Sequence, residues 1–105
     1  MKSIMHDKSE GTCYLCKLLH SDWSRKATTE HHVIHGTAGR KIAEQMGLKV
    51  YLCSDHHGAK GGEDVHRPDL NNYDQLLRMK AQKIWESKGG SRSEWIQKVG
   101  KNFLD

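Results

Sequence analysis

The sequence predicts a small α+β domain knitted together by a metal ion, with helices gathered towards its C-terminal end. Three observations predict it. Two short β-leaning segments lie in the front two-thirds of the chain. Two ligand pairs, Cys13-x-x-Cys16 and Cys53-x-x-His56, share one spacing. An apolar face recurs at helical steps after residue 69. The chain has 105 residues, of which 35% are hydrophobic and 29% charged. A chain of this size buries only about two-thirds of its unfolded surface, so the core is thin and a structural metal would help it fold.

Residues 1–11, "MKSIMHDKSEG", are polar and weakly patterned and read as a flexible lead-in; residues 12–105 make the single domain. "CYLC" reads as a tight turn between two thiols. Thr28, Thr29, Val33 and Ile34 give "KATTEHHVI" a strand character, and "HGTAGRK" reads as a glycine-rich loop. "RKIAEQMG" is a helix of two turns closed by Gly47. In "LKVYLC", Leu48, Val50 and Leu52 alternate with Lys49 and Tyr51, the pattern of a half-buried strand. "SDHHGAKGGEDVHR" is again loop. A long helix runs from residue 69 or 72 to 88, with Leu70, Tyr73, Leu76, Leu77, Ala81 and Ile84 on one face and Asn72 with Gln75 as its capping pair. Ser91 and Glu94 open a last short helix carrying Trp95, Ile96 and Val99, ended by Gly100.

No apolar run approaches the roughly 20 residues of a membrane span. The N-terminus lacks the apolar core of a signal peptide, so the expected setting is cytoplasmic, where disulfides are rare. Three cysteines cannot all pair with one another, which leaves metal binding as the better account of them. Cys13, Cys16, Cys53 and His56 make a Cys3His set suited to one tetrahedral structural zinc ion, with His57 as the other candidate for the fourth place.

The net charge of +4 fits a nucleic-acid partner. "KIAEQMGL" has the look of the first helix and turn of a helix-turn-helix, but the β-branched and aromatic "KVYLC" that follows leaves no recognition helix. Five histidines, His31, His32, His35, His57 and His66, remain in the middle of the chain once His56 is given to zinc. His20, in "LLHSDW", reads as a loop residue without a role.

"EHHVIHG", a glycine-containing loop, a strand ending "LCSDHH", then a helix resemble the HNH nucleases of the ββα-metal fold. "HHVIHGTAGRK", "GLKVYLCSDHH", "VH" and "WIQKVGKNFL" are similar, over nearly the whole chain, to short phage-encoded members related to the phage recombination nuclease Ref. The resemblance implies a metal-dependent endodeoxyribonuclease in which His31 holds the catalytic cation, His32 is the general base and His57 a further ligand. His66 matches a ligand position of the short members, though its spacing departs from the commoner His-x-x-x-His form. The middle Asn of the family name is absent, because no asparagine precedes Asn71; Thr37, Gly39 or Arg40 would have to brace the loop instead.

The physical chemistry agrees with this implication. A neutral imidazole can take a proton from water near neutral pH, and one divalent cation can hold a phosphate and stabilise the leaving oxygen. Imidazole ligands suit Mn2+, Ni2+ or Zn2+ at least as well as Mg2+, with Asp55, Glu63 or Asp64 available to add an oxygen. Adjacent strand residues point to opposite sides, so His31 and His32 could serve one site only where the strand is ending. Glu30 would orient an imidazole, and His35 would touch phosphate or brace the loop. Arg25, Lys26, Arg40, Lys41, Lys60 and Arg67 bracket the histidines and are the expected phosphate contacts on DNA, with Arg40 on the scissile phosphate. Nothing reads base edges, so low sequence specificity is expected. DNA or RNA, nicking or double-strand cutting, and a recombination or packaging partner protein inside a bacterial host all stay open. So does a non-catalytic zinc-dependent nucleic-acid-binding module, which would use the same cysteines.

Overall fold

Two antiparallel strands, β1 (Thr29–His32) and β2 (Lys49–Leu52), pair in the register Thr29 with Leu52, Glu30 with Tyr51, His31 with Val50 and His32 with Lys49. The computed structural model describes all residues, 1–105. Around the sheet lie four helices: α1 (Tyr14–His20), α2 (Gly36–Met46), α3 (Tyr73–Ser87) and α4 (Arg92–Val99). The α+β class holds. No helix is long and apolar enough to cross a membrane.

Side chains alternate along a strand, so the pairing places His31, Val50 and Leu52 on one face and Glu30, His32, Lys49 and Tyr51 on the other. All four β2 residues are buried rather than alternately so. The cover is the N-terminal segment, expected from its polarity to be a flexible lead-in. Instead, Ile4 N donates to Gly47 O at 2.9 Å, Ser3 Oγ donates to Lys49 O, and Tyr51 N donates to His6 Nδ1 at 3.1 Å. His6 is itself buried, and its Nε2 meets Thr12 Oγ1 at 3.2 Å. Polar residues here satisfy the open edge of β2, which would otherwise present unpaired backbone groups.

Three further expectations change. "CYLC" is not only a turn: Cys13 is the N-cap of α1 and Cys16 lies in its first turn. His20 ends that helix rather than sitting in a loop. "HGTAGRK" is not a loop, because α2 begins at Gly36 and runs to Met46. Glycine weakens a helix, but the backbone at Gly36 and the packing at Gly39 demand it here. Gly36 has φ +81°, and a Cβ at Gly39 would stand 2.9 Å from the Ile34 side chain and 3.3 Å from its backbone.

Gly47 closes α2 in the left-handed conformation, as read from sequence. The helix α3 starts at Tyr73, so Leu70 falls outside it and is exposed. Its expected Asn72–Gln75 cap is replaced by Asn71, whose Oδ1 accepts from Tyr73 N at 3.0 Å. The α4 capping box of Ser91 and Glu94 is present.

The core joins both halves of the chain. Leu15, Val33, Leu48, Val50, Leu77 and Trp95 are all fully buried in one cluster. Trp95 packs on Trp85 and Phe103, with ring centroids 5.7 and 6.3 Å away, and donates from Nε1 to Lys101 O. Gln82, fully buried on α3, donates to Asn102 Oδ1 at 2.8 Å and accepts from Phe103 N at 2.7 Å, which fastens the C-terminal tail.

Candidate metal centres and catalytic cleft

The first centre is built by α1 and the turn after β2. Cys13 and Cys16 project from the start of α1, while Cys53 and His56 lie on the turn closed by His56 N donating to Cys53 O. All four are buried. His56 Nδ1 lies 3.4 Å from Cys13 Sγ, 3.6 Å from Cys16 Sγ and 3.4 Å from Cys53 Sγ; the Cys16 and Cys53 sulfurs are 3.7 Å apart. A tetrahedral zinc with Zn–S about 2.3 Å and Zn–N about 2.0 Å needs S···S edges of about 3.8 Å and S···N edges of about 3.5 Å. The four atoms therefore form a set that could hold zinc, with His56 using Nδ1.

Electrostatics favour that use. Burial pushes the Cys16 thiol up to about 12, against the pull of Lys26. Three crowded, buried sulfurs are uncomfortable as thiolates unless a cation neutralises them. Lys26 Nζ donates to Cys16 Sγ at 3.3 Å and to Asp22 at 2.8 Å. On the far side of the ring, the buried Nε2 of His56 has no hydrogen-bond partner, although Glu63 Oε2 is 3.4 Å away. Tyr73 Oη holds that carboxylate at 2.8 Å.

His57, one residue on, turns away from the sulfurs. It meets His31 from β1 and His66 from the following loop, with ring centroids 5.3 Å (His31–His57), 5.4 Å (His31–His66) and 4.7 Å (His57–His66) apart. Their ligating nitrogens all lie within 4.8 Å of one another. The choice between His56 and His57 is thus settled by direction: His56 faces the cysteines, His57 the histidines. His31 is only 4% exposed, and its Nε2 is buried without a partner. Burial, with His57, His35 and His66 around it, pushes the His31 pKa down to about 3. Burial and His66 likewise lower His57. Three imidazoles gathered in this way could hold a cation, and three ligands would leave coordination places open.

The loop carrying His57 and His66 is braced by Asp64, which the sequence offered as an oxygen ligand but which joins none of the convergent groups, and by Asn71. Asp64, almost fully buried, accepts from Lys60 N at 2.8 Å and His66 N at 2.9 Å. Asn71 donates to Gly62 O and Asp64 O at 2.8 and 2.9 Å. These two hold the loop of His57 and His66, not the loop beside His32 whose bracing was expected of Thr37, Gly39 or Arg40. The one local signal was Asp64 close behind the Gly61-Gly62 pair; Asn71, seven residues on, carried none.

An open cleft of about 480 Å³ faces the three imidazoles and is also lined by Glu30, His32, His35, Gly36, Thr37 and Arg40. His32 ends β1 on the opposite face from His31, yet reaches the rim of this cleft. Its Nε2 bonds Glu44 Oε2 at 2.9 Å, with Glu30 3.4 Å away. His35, the N-cap of α2, pairs with Asp74 of α3 and stands beside His31, ring centroids 5.6 Å apart. Asp74 had no role in the sequence reading. Asp55 joins none of the convergent groups, and Glu63 sits by the sulfurs instead.

Of the six basic residues expected at phosphate, Arg40 lines the cleft, and Lys41 an adjoining groove that shares Glu30, His32, Thr37 and Arg40 with it. The others lie elsewhere. Arg25 donates to Glu10 O across Gly11, Lys26 serves Cys16 and Asp22, Arg67 pairs with Asp69, and Lys60 is outside the cleft lining. Arg25, Lys26 and Arg67 are thus engaged by local partners. Compared with known proteins, the chain matches no family model, no curated protein and no solved structure.

Proposed function

We propose that this chain is a metal-dependent endonuclease of the HNH type, which hydrolyses phosphodiester bonds in DNA with low sequence specificity. The observation that carries the reading is the buried, unpartnered His31 Nε2, convergent with His57 and His66 at the floor of a cleft rimmed by His32 and Arg40. His31, His57 and His66 would hold a divalent cation, Mg2+, Mn2+, Ni2+ or Zn2+, and Cys13, Cys16, Cys53 and His56 the structural zinc. When bound, the cation supplies charge stabilisation at the phosphate and the leaving oxygen.

The chain's own residues do the rest. Glu44 accepts from His32 Nε2–H, which fixes the imidazole and leaves Nδ1 as the nitrogen that takes the proton of water. Lys49, bonded to the same carboxylate at 3.0 and 3.1 Å, keeps Glu44 in place. Arg40 carries positive charge to the phosphate side of the cleft. DNA would enter along the Arg40–Lys41 groove.

The test is incubation of the zinc-loaded protein with supercoiled plasmid and a panel of divalent metals, beside His32→Ala. Loss of a general base costs about 10²–10⁴-fold in rate, so nicking should fall by that factor. Binding without nicking under every metal would instead favour a zinc-dependent nucleic-acid-binding module. The engagement of His32 by Glu44 supports that second reading if the contact is a purely structural hydrogen bond.

A further inference from the structure

The glycine-rich stretch between β1 and the body of α2 is the feature least explained by a metal-and-base account. It folds as the first turn of an 11-residue helix whose start opens into the cleft. The first N–H groups of any helix lack intrahelical acceptors and carry the positive end of its dipole. Here the N-cap, His35, supplies no side-chain hydrogen bond, and no acidic residue occupies the first turn. A Cβ built on Gly36 would meet nothing within 4 Å, so the approach to these amides is clear. Arg40, one turn on, makes no ion pair and lines the same cleft.

A second, separate observation points to a ligand in this place. The 4%-exposed His31 side chain lines the cleft that the helix start opens into, with its buried Nε2 unpartnered. The one carboxylate in the lining, Glu30, is offset by Lys49 Nζ at 3.5 Å.

We propose that the first turn of α2 is an anion cradle: the N–H groups of Gly36, Thr37 and Ala38, together with the Arg40 guanidinium, hold the non-bridging oxygens of a phosphodiester against the His31–His57–His66 centre. This deepens, and rests on, the phosphodiesterase reading above. Backbone amides at a helix start are a recurrent phosphate site, and they bind oxygens without reading bases. That fits a substrate recognised by its backbone.

The experiment measures binding of inorganic phosphate and of a deoxydinucleotide to the metal-loaded full chain by calorimetry. Thr37→Pro deletes one N–H at a helix start where proline is tolerated. Ala38→Asp, at an exposed position, adds a charge that favours the helix but repels an anion. Circular dichroism and metal content verify that both variants stay folded and loaded. Ala38→Asp should weaken both probes by at least about tenfold and Thr37→Pro by several-fold, the scale of losing a charge-assisted hydrogen bond. Unchanged binding in both folded variants, or no phosphate binding by the wild type, overturns the cradle. Binding of inorganic phosphate without the dinucleotide overturns the diester as its ligand. Cradle-dependent binding without plasmid nicking leaves the cradle standing and refutes the nuclease reading instead.

Discussion

Glu63 stands 3.4 Å from the outer nitrogen of His56 and is held by Tyr73 at 2.8 Å. Metal-bound histidines commonly donate their second N–H to a carboxylate, which sets the tautomer and the ring angle; losing that partner costs about 10–100-fold in metal affinity. Glu63→Ala should therefore loosen zinc by about that factor in competition with a chromophoric chelator. An unchanged affinity would make Glu63 an ordinary surface acid. The same reasoning separates the neighbours His31 and His32. His31 is buried, neutral and short of a partner, which suits a ligand. His32 is tied to Glu44 at 2.9 Å, which suits an oriented base. The pairing of His35 with Asp74 escaped the sequence because the two are 39 residues apart; only folding brings such a pair together.

Among the elements, the end of α2 shows how much a single residue can carry. Gly47 has φ +73°, and a Cβ there would stand 2.6 Å from Lys2 O. Gly47→Ala should cost about 1–2 kcal/mol from the left-handed backbone alone, and more because the N-terminal segment must move; urea denaturation reads the shift. A smaller effect would mean that residues 1–5 give way freely. This stop was legible because glycine after an amphipathic run has one main use. The strands, the α4 capping box and both metal-ligand pairs were legible for similar reasons, since each is a local pattern with a fixed spacing. What escaped was non-local. The first turn of α2 is rich in glycine for tertiary reasons, and the short α1 has too few residues to display a period. Residues 1–11 are polar, yet they close the edge of β2, and that edge is visible only once the sheet exists.

For the whole molecule, the sulfur-rich centre ties residues 13–16 to residues 53–56 across a thin core. Structural zinc contributes about 10–16 kcal/mol of apparent binding energy near neutral pH, comparable to the entire net stability of about 5–15 kcal/mol of a natural domain. Excess chelator, or Cys53→Ser, should therefore abolish cooperative unfolding followed by tryptophan fluorescence, since Trp95 is fully buried. A chain that melted sharply without metal would show that the core suffices. One geometric detail extends this beyond stability. His56 and His57 are consecutive, and a single peptide bond separates the imidazole aimed at the sulfurs from the one aimed at His31. If both groups hold a cation, a torsion that empties one would misalign the other, and the two occupancies would be linked reciprocally. Loss of an ion at the sulfurs would then cost the histidine group its alignment as well as the chain its staple.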